Sequence, residues 1–526
     1  MNLIRIKPFI RGMQSLGRGR MNLAINLERS ALFFPDRPAI SEAGREMTYG
    51  ELNQKANQVA TALIKMGIKP GDFIGLCAPN SSDWIIFYFG VLKAGAVAVT
   101  LSSLLTENEL SLLLNHSRPR FIFTFDEKLN DLLRIKDSCG LEKLICPKGD
   151  LDLNRMLDIG TSSFKAVDRN RADMAVILYT GGTTGTPKGV MLSHENIIVS
   201  SHNIAFYERS NEFDRGLCFL PFNHIFGQIH IMNATLLSSG CTELLPSFDM
   251  DRVLRATGNG LVTKLFAVPT IYARLLTVDR LREKLGQVRY CFSAAASMPR
   301  QIVEQWKEQT GLSIFESYGM TETATAVTYN HLYRHVVGSV GDPVHGVEVQ
   351  IRDGSGHEVE QGREGEICIR GRNVMIGYLN NPEETRSAFW DDGWLRSGDI
   401  GLFDEDGYLY IVDRIKDLMI TGGENVYPRE VEEMIYKRPE VELCAVVGLP
   451  DKEWGERVTA FIVPKPGQSI VPEELKSFLK SHLSPFKVPK QYVILNDMPR
   501  SPTGKILKRE LKKQFLEAAR LSKEKE

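Results

Sequence analysis

The chain has 526 residues, of which 43% are hydrophobic and 25% are charged, and its formal net charge is −1. This length exceeds what one hydrophobic core normally supports, so we expect two or more domains. The composition excludes a disordered or fibrous protein. The near-neutral charge excludes a general electrostatic attraction to nucleic acid, and we expect no nucleic-acid partner.

The N-terminal segment is basic and contains no acidic residue; its charged side chains are Arg5, Lys7, Arg11, Arg18 and Arg20. Such a bias is typical of a targeting or membrane-surface segment. However, a second Met-Asn-Leu begins at Met21 and is followed by a normal domain start. We therefore predict that residues 1–24 are an extension, either disordered or the product of a mis-assigned start codon. The segment lacks the long apolar run of a secretion signal, which favours a cytoplasmic protein.

The most apolar stretch, Trp84 to Val99, contains Lys93 and is shorter than the ~20 residues that a membrane-spanning helix needs. A buried helix followed by a buried strand explains it better, and we expect no transmembrane segment. The eight cysteines are scattered, with neither CxxC spacing nor a Cys/His cluster typical of a metal site. We interpret them as buried thiols in a reducing cytosol.

Short apolar runs alternate with helical patterns from Phe33 to about Asp168. "DFIGLCA" and "GAVAVTL" are typical of buried strands, and the stretch from Tyr49 to Gly67 is typical of an amphipathic helix. The alternation resumes from residue 174 to about 323, with "MAVILYT", "KLFAVP" and "YCFSAA" as predicted strands. It predicts an α/β fold with parallel sheets, arranged as two stacked subdomains.

The pattern changes after Gly338. The runs "VEVQIRD", "GEICIRG" and "GYLYIVD" are separated by Gly- and Asp-rich turns and predict an antiparallel, distorted β-barrel. The last hundred or so residues have helical patterns at 429–437 and 472–483 between apolar runs. They predict a small α+β domain.

The strongest local motif is "ILYTGGTTGTPKG", residues 177–189, in which an apolar strand runs into a loop of glycines and threonines. Glycines let backbone N–H groups approach an anion, threonine hydroxyls add donors, and lysine adds charge. The loop differs from GxxxxGK[ST] because Pro187 precedes Lys188. It predicts a polyphosphate ligand held by Thr180, Gly182, Thr183, Thr184, Gly185 and Lys188.

This loop resembles the phosphate loop of the adenylate-forming superfamily, which comprises acyl-CoA synthetases, firefly luciferases and the adenylation domains of peptide synthetases. Further segments match that family in order: "ESYGMTET" (316–323), "WLRSGDIG" (394–401), "GYLYIVDRIKDLMITGGENVYPREVE" (407–432) and "RSPTGKILKREL" (500–511). The resemblance covers the chain from about residue 25. It implies a large domain over 25–413, a hinge at 414–417 and a small mobile C-terminal domain over 418–526.

The resemblance also implies an activity, that of the acyl-CoA synthetase or fatty-acid–CoA ligase branch. Such an enzyme uses ATP, Mg²⁺ and coenzyme A to convert a carboxylic acid to an acyl-adenylate and then to a thioester, releasing AMP and pyrophosphate. Luciferin oxidation, delivery of the acyl group to a carrier protein, and a catalytically dead nucleotide-binding homologue are the alternatives. A homodimer is compatible with the sequence.

The family's nucleotide-binding residues can be transferred by position. Tyr318 would stack on adenine, which suits an aromatic face. Thr321 would contact the α-phosphate, and Glu322, with Thr184, would bind Mg²⁺ through hard oxygen ligands. The remaining matches are residues that would hold ribose, Asp399 and Arg414, and residues that would hold adenine, Ala295 and Ala296.

The C-terminal motifs carry the two steps. Lys505 would bridge the attacking carboxylate and the α-phosphate, where a cation offsets developing negative charge. Lys416 matches the hinge about which the small domain swings. In the second pose, the loop with Gly422, Gly423 and Asn425 would admit the pantetheine arm of coenzyme A.

The acyl end of the site resembles the family's segment "FLPFNHIFGQIHIMNA", where His224 would close over the reacting groups. The pocket would be lined by Phe226, Gln228, Ile229, Ala294, Gly319 and Ala324. No Arg or Lys occurs in 224–234 or 324–328, so we expect an uncharged far end on the substrate. The acid would be a hydrophobic monocarboxylate, either a medium- or long-chain fatty acid or a ring acid such as benzoate or cyclohexanecarboxylate. Ala294 stands where relatives have glycine and hints at a compact acid.

Overall fold

The computed structural model describes residues 21–180, 187–501 and 504–523. Within that part the strands form four sheets, of nine, seven, five and four strands. Most of the basic N-terminal extension lies outside the described residues. The α/β fold predicted from the sequence is confirmed, with a large N-terminal and a small C-terminal portion.

The seven-stranded sheet is built from the first half of the chain, except for its edge strand Gly377–Tyr378. Its strands, in spatial order, are Gly377–Tyr378, Lys188–Ser193, Met174–Thr180, Val97–Thr100, Phe73–Cys77, Phe121–Thr124 and Lys143–Ile145. The last five run parallel to one another, and Lys188–Ser193 returns antiparallel to Met174–Thr180. The helices of this part are Tyr49–Lys65, Ser82–Lys93, Glu107–Ser117, Asp126–Cys139 and Leu153–Ile159.

The nine-stranded sheet carries most of the residues predicted to bind nucleotide and acid. Its order is Asp342–Pro343, Thr325–Tyr329, Ile314–Met320, Tyr290–Ser293, Lys264–Ala267, Arg215–Cys218, Cys241–Leu244, Pro38–Glu42 and Arg45–Thr48. Its helices are Ile25–Phe33, His194–Tyr207, Ala234–Leu237, Met250–Gly258, Pro269–Leu275, Leu281–Lys284 and Arg300–Thr310, with a π-helix at Phe226–Asn233 and a 3₁₀ turn at Thr321–Thr323.

The apolar stretch from Trp84 to Val99 forms a buried helix and a buried strand, as predicted. The Ser81 hydroxyl accepts from the Trp84 amide at 3.1 Å and caps the helix at its start. Lys93 is fully buried and its ammonium lies 2.6 Å from the Glu28 carboxylate, which compensates its charge. None of the helices in the described part of the chain combines the length and apolarity that crossing a membrane requires.

An antiparallel four-stranded sheet follows, as the sequence predicts. Its strands are Val347–Arg352, Gly365–Gly371, Leu395–Phe403 and Leu409–Arg414, and the short helix Pro382–Ser387 precedes the third strand. The last two strands pair Asp399 directly with Arg414. The sheet therefore places two predicted ribose ligands side by side.

The C-terminal portion has its own five-stranded sheet: Met419–Thr421, Glu424–Val426, Val441–Asp451, Gly455–Pro464 and Gln491–Ile494. Its helices are Pro428–Tyr436, Pro472–Lys480 and Lys508–Lys523. Its buried side chains form hydrophobic clusters separate from those of the large portion. A 3₁₀ turn, Ile415–Asp417, joins the two portions.

The eight cysteines are all buried and none is in a disulfide. Burial raises the pKa of several of these thiols, for instance of Cys77 to about 12. Such thiols are inert, as the sequence interpretation expects.

Candidate active site

Tyr318, Asp399 and Arg414 converge at one point although they come from three separate strands. The Tyr318 hydroxyl donates to Asp399 Oδ2 at 2.7 Å, and Arg414 Nε lies 3.0 Å from Asp399 Oδ1. Asp399 is buried, so its charge depends on these two partners. The arrangement brings together an aromatic face, a carboxylate and a guanidinium, which is the chemistry required by a nucleoside.

Glu322 and Lys188 form a second group beside the first, organised by Tyr378. The Tyr378 hydroxyl donates to Glu322 Oε1 at 2.9 Å, and the Lys188 ammonium lies 5.0 Å from the centre of the same ring. Lys188 is also ion-paired with Glu384 of the helix Pro382–Ser387. Burial raises the pKa of Glu322. A buried carboxylate of this kind is stabilised by a nearby cation, so it fits a bound divalent metal ion.

The phosphate loop is only partly described. Thr180 ends the strand Met174–Thr180 and pairs across the ladder with Lys188, so the loop begins and ends at one place. Thr321 lies in the adjacent 3₁₀ turn, next to Glu322. The predicted loop ligands Gly182, Thr183, Thr184 and Gly185 lie outside the described residues.

Lys505 reaches this site from the C-terminal portion. The Thr270 hydroxyl of the large portion donates to the carbonyl of Gly504 at 2.9 Å and holds the turn that carries Lys505. Burial and the nearby Arg414 lower the pKa of Lys505 to about 8, while Asp399 acts in the opposite direction. The small portion is therefore docked with its lysine near the predicted ribose ligands.

His224 is a neutral hydrogen-bond donor in this arrangement. Its Nδ1 accepts from the Phe226 amide at 3.2 Å, so the ring proton of the neutral form resides on Nε2. Burial and the positive charge of Lys505 lower the pKa of His224 to about 4. Near neutral pH the ring can donate from Nε2 to a carboxylate or phosphate oxygen.

The predicted pantetheine residues lie apart from this cluster, whereas the predicted hinge residue Lys416 lies beside it, where its positive charge contributes to lowering the pKa of Lys505. Lys416 is exposed within the turn Ile415–Asp417. Gly422, Gly423 and Asn425 are exposed on a hairpin beside Trp454, and both glycines have positive φ. A Cβ atom at Gly422 would lie 3.0 Å from the Trp454 ring. The pose presents Lys505 to the large portion and leaves the hairpin open.

The backbone is unusual at the segments predicted to hold adenine and the acyl group. Ala295, Ala324 and Thr325 have positive φ values of 71°, 47° and 93°, which non-glycine residues rarely adopt. A Cβ atom at Gly319 would lie 1.5 Å from the Thr325 carbonyl oxygen, so only glycine fits there. Ala294 and Ala296 are half-buried on either side of Ala295.

The segment predicted to line the acyl pocket is a π-helix, Phe226–Asn233, rather than an α-helix. Phe226 and His230 lie on one side of this helix, with ring centres 5.1 Å apart. Ile229 is fully buried. Gln228 points elsewhere: its amide donates to the Phe222 carbonyl at 2.6 Å and to the Thr100 hydroxyl at 3.2 Å.

Three of the predicted pocket segments meet at one aromatic cluster, formed by Phe226, His230, Phe292 and Tyr329. Phe292 lies two residues before Ala294, and Tyr329 ends the strand that follows Ala324. The ring centre of Phe292 lies 4.3 Å from His230, 5.3 Å from Tyr329 and 5.8 Å from Phe226. All four side chains are buried.

Sequence reasoning missed Tyr378 and Glu384, which contact Glu322 and Lys188. Their segment reads "GYLNNPEET", and no charge or spacing in it indicates which distant side chains it meets. It also missed His230, which lies within the predicted pocket segment. A histidine in an apolar helical run was the available signal.

Comparison with known protein families gives two matches. The family described as "AMP-binding enzyme" matches residues 27–379, and the "AMP-binding enzyme C-terminal domain" matches residues 430–505. Together they span both portions of the fold.

The chain is similar along nearly its whole length to proteins named as CoA ligases or acyl-CoA synthases. It is 34% identical to a long-chain-fatty-acid–CoA ligase of Bacillus subtilis (strain 168), covering 92% of this chain and 93% of the relative. It is 35% identical to a feruloyl-CoA synthase of Amycolatopsis sp, covering 93% and 98%. The crystal structure of ATP-bound MatB from Rhodopseudomonas palustris superposes with a TM-score of 0.88 at 35% identity, covering 94% and 99%.

Proposed function

The chain belongs to the AMP-binding enzyme family, in the CoA-ligase branch of the adenylate-forming superfamily, and we propose that it activates a compact, hydrophobic monocarboxylic acid with an uncharged far end. The family is one of acid–thiol ligases that use ATP and coenzyme A. The relatives are named for different acid substrates, so the class of acid proposed for this chain rests on the residues at the acyl end of the site.

The observation that carries the proposal is the aromatic cluster. Phe226, Phe292 and Tyr329 come from three segments and pack against His230 at the place where the predicted pocket segments meet. A straight chain of unlimited length has no room to continue through such packed rings, whereas a ring or a medium-length chain can end against them.

The uncharged far end is supported by the positions of the basic groups. Lys264 is buried near the cluster, but its ammonium is committed to Glu208 at 3.0 Å and to Asp214 at 3.4 Å. A dicarboxylate substrate would need an uncommitted buried cation, because a buried carboxylate without a partner costs several kcal/mol.

The proposed chemistry assigns each step to residues of the site. Lys505 offsets negative charge as the acid carboxylate attacks the α-phosphate, and His224 donates from Nε2 to an oxygen of the reacting groups. Tyr318, Asp399 and Arg414 hold the nucleoside. Mg²⁺, if held by Glu322, would neutralise phosphate charge. The small domain then rotates and the hairpin of Gly422 and Gly423 replaces Lys505 at the site.

The test is a panel of acids with ATP, Mg²⁺ and coenzyme A, scoring AMP and thioester together. Benzoate, cyclohexanecarboxylate and octanoate should give a higher kcat/KM than palmitate, malonate or oxalate. A preference for palmitate would overturn the compact pocket, and a preference for a dicarboxylate would overturn the uncharged far end. AMP formation without thioester, restored by a carrier protein, would identify the carrier-loading alternative.

A further inference from the structure

A buried polar network lies behind the aromatic cluster, and the adenylation chemistry does not use it. Glu208 is at its centre: His230 Nε2 lies 2.8 Å from Oε1, the Tyr329 hydroxyl donates to the same oxygen at 2.7 Å, and Lys264 lies 3.0 Å from Oε2. Glu208, His230, Lys264 and Tyr329 are each at most 3% exposed. Lys264, His230 and Tyr329 overcome the effect of burial and hold the pKa of Glu208 at about 2.

Stability alone is a weak reason for such a network. Removing charges from water costs about as much as their attraction returns, and apolar residues of similar volume commonly stabilise a core equally well. A core that only had to be apolar at this point would not need Glu208. The network is better explained by a requirement for one oriented polar group at its apolar end.

His230 is that group. It is the member of the network that lies on the π-helix predicted to line the acyl pocket, and its ring packs 4.3 Å from Phe292, next to the half-buried Ala294 segment. Its Nε2 is occupied by Glu208 and Tyr329, whereas no described residue forms a hydrogen bond with its Nδ1. A histidine that is 2% exposed thus retains one nitrogen without a described partner.

The charge balance defines what that nitrogen can do. Two carboxylates, Glu208 and Asp214, face two cations, Lys264 and Arg289, so the network is neutral without a charge on His230. A neutral ring that donates from Nε2 to Glu208 carries no proton on Nδ1. Nδ1 is therefore a hydrogen-bond acceptor, fixed in orientation by Glu208 and by the packed rings.

We propose that His230 Nδ1 accepts a hydrogen bond from a hydroxyl group at the far end of the substrate, so that the preferred acid is a hydroxyl-substituted aromatic carboxylic acid. The aromatic cluster would pack on the ring of the substrate, and the hydroxyl would donate to Nδ1. The inference rests on the proposed function, since it places the far end of the acyl group at His230. It specifies the substrate class within the compact, uncharged acids.

The first experiment uses the wild-type protein and sets of matched acids. Benzoate, phenylacetate, 3-phenylpropanoate and cinnamate are each compared as the unsubstituted, 4-hydroxy, 4-methyl and 4-methoxy forms. For at least one chain length, kcat/KM should be about tenfold higher for the hydroxyl form than for the methyl form, the value of one well-placed hydrogen bond. The methoxy form accepts but cannot donate, so it should resemble the methyl form.

The second experiment compares two variants, each of which removes one hydrogen-bond donor to Glu208 Oε1. His230→Phe retains an aromatic ring of similar shape but has no Nδ1, and Glu208 keeps Tyr329 and Lys264 as partners. It should reduce the hydroxyl-to-methyl ratio to about one. Because the ratio compares two acids on the same variant, it reports the loss of Nδ1 independently of any change in the overall rate. Tyr329→Phe also removes one donor to Glu208 Oε1, but it leaves His230 in place and should preserve the ratio.

The outcomes separate this inference from the function on which it rests. The proposal is wrong if acids are activated but the hydroxyl form is not preferred at any chain length. It is also wrong if the methoxy and hydroxyl forms have equal kcat/KM, because His230 would then not accept a hydrogen bond from the substrate hydroxyl. Equal loss of the ratio in both variants would likewise overturn the proposal, because the network would then only maintain the pocket wall. If His230→Phe fails to fold, the wild-type hydroxyl, methyl and methoxy comparison still decides. Failure of every acid to release AMP would instead overturn the proposed function.

Discussion

The proposed chemistry uses Lys505 as a cation, and burial and Arg414 lower its pKa to about 8. The protonated form predominates below that pH and is lost as the pH rises through it. Burial makes the Lys505 ammonium easier to deprotonate. It also strengthens the attraction between the ammonium and a bound phosphate, because charges interact more strongly away from solvent. We therefore expect the rate of the adenylation step to fall at alkaline pH.

The first prediction is therefore a pH dependence. The kcat/KM of adenylation for ATP should fall above about pH 8, roughly tenfold per pH unit, because the free enzyme loses the Lys505 charge. His224, with a pKa of about 4, stays neutral throughout this range and does not contribute. Pyrophosphate release measured from pH 6.5 to 9.5 checks it. In Lys505→Arg the guanidinium stays charged, so the residual rate should show no such limb; an unchanged limb would assign it to another group.

The second prediction separates the two half-reactions. Lys505→Ala should lower adenylation by roughly 10²–10³-fold, the usual loss for an aimed electrostatic group. Thioester formation from pre-made acyl-AMP and coenzyme A should be much less affected. Lys513→Ala, which removes an exposed cation from the helix Lys508–Lys523 that follows Lys505, is the control and should leave both rates unchanged. Equal losses in the two half-reactions would contradict the assignment of Lys505 to the first step.

At the scale of elements, the sequence predicts strands better than it predicts their partners. "MAVILYT", "KLFAVP" and "YCFSAA" become the buried strands Met174–Thr180, Lys264–Ala267 and Tyr290–Ser293 because continuous apolar runs signal burial on both faces. The π-helix Phe226–Asn233 was not predictable, since eight residues are too few to distinguish its wider turn from an α-helix.

In the candidate site, too, the sequence predicts individual residues better than it predicts their partners. Asp399, Arg414 and Lys505 were identified from motifs whose residue types match their chemistry, and they do lie near one another. Tyr378 contacts Glu322 across 56 residues of sequence, and Glu384 contacts Lys188 across 196. Contacts over such separations depend on how the sheets pack, which periodicity does not encode.

The third prediction concerns the strand that carries Tyr318. Gly319→Ala places a methyl group 1.5 Å from the Thr325 carbonyl, so the strands Ile314–Met320 and Thr325–Tyr329 must separate. We expect destabilisation of about 3 kcal/mol and loss of adenylation, because Tyr318 and Glu322 flank the distortion. Thermal unfolding and pyrophosphate release measure it. Gly354→Ala, where a Cβ atom meets nothing within 4 Å, should be nearly neutral in both assays; a neutral Gly319→Ala would show that this ladder relaxes freely.

At the scale of the whole molecule, the described arrangement of the two portions suits the proposed adenylation step but not the proposed thioester-forming step. The docked small portion brings Lys505 to Asp399 and Arg414, while the hairpin of Gly422 and Gly423 is exposed to solvent. The two portions have separate hydrophobic clusters and are joined by the turn Ile415–Asp417. The proposed rotation about that turn would exchange the two loops without disturbing either core.

The fourth prediction tests this rotation. Lys416→Pro fixes φ at residue 416 and restricts Ile415, so the turn should lose the freedom to change conformation. We expect the variant to retain one half-reaction near the wild-type rate and to lose the other by at least tenfold, with the overall turnover falling accordingly. Single-turnover acyl-AMP formation and thioester formation from pre-made acyl-AMP, measured separately, check it. Lys416→Ala removes the same exposed ammonium but leaves the backbone free to change conformation, so this variant should retain both half-reactions. If Lys416→Pro turns over like Lys416→Ala, the rotation is centred on another residue.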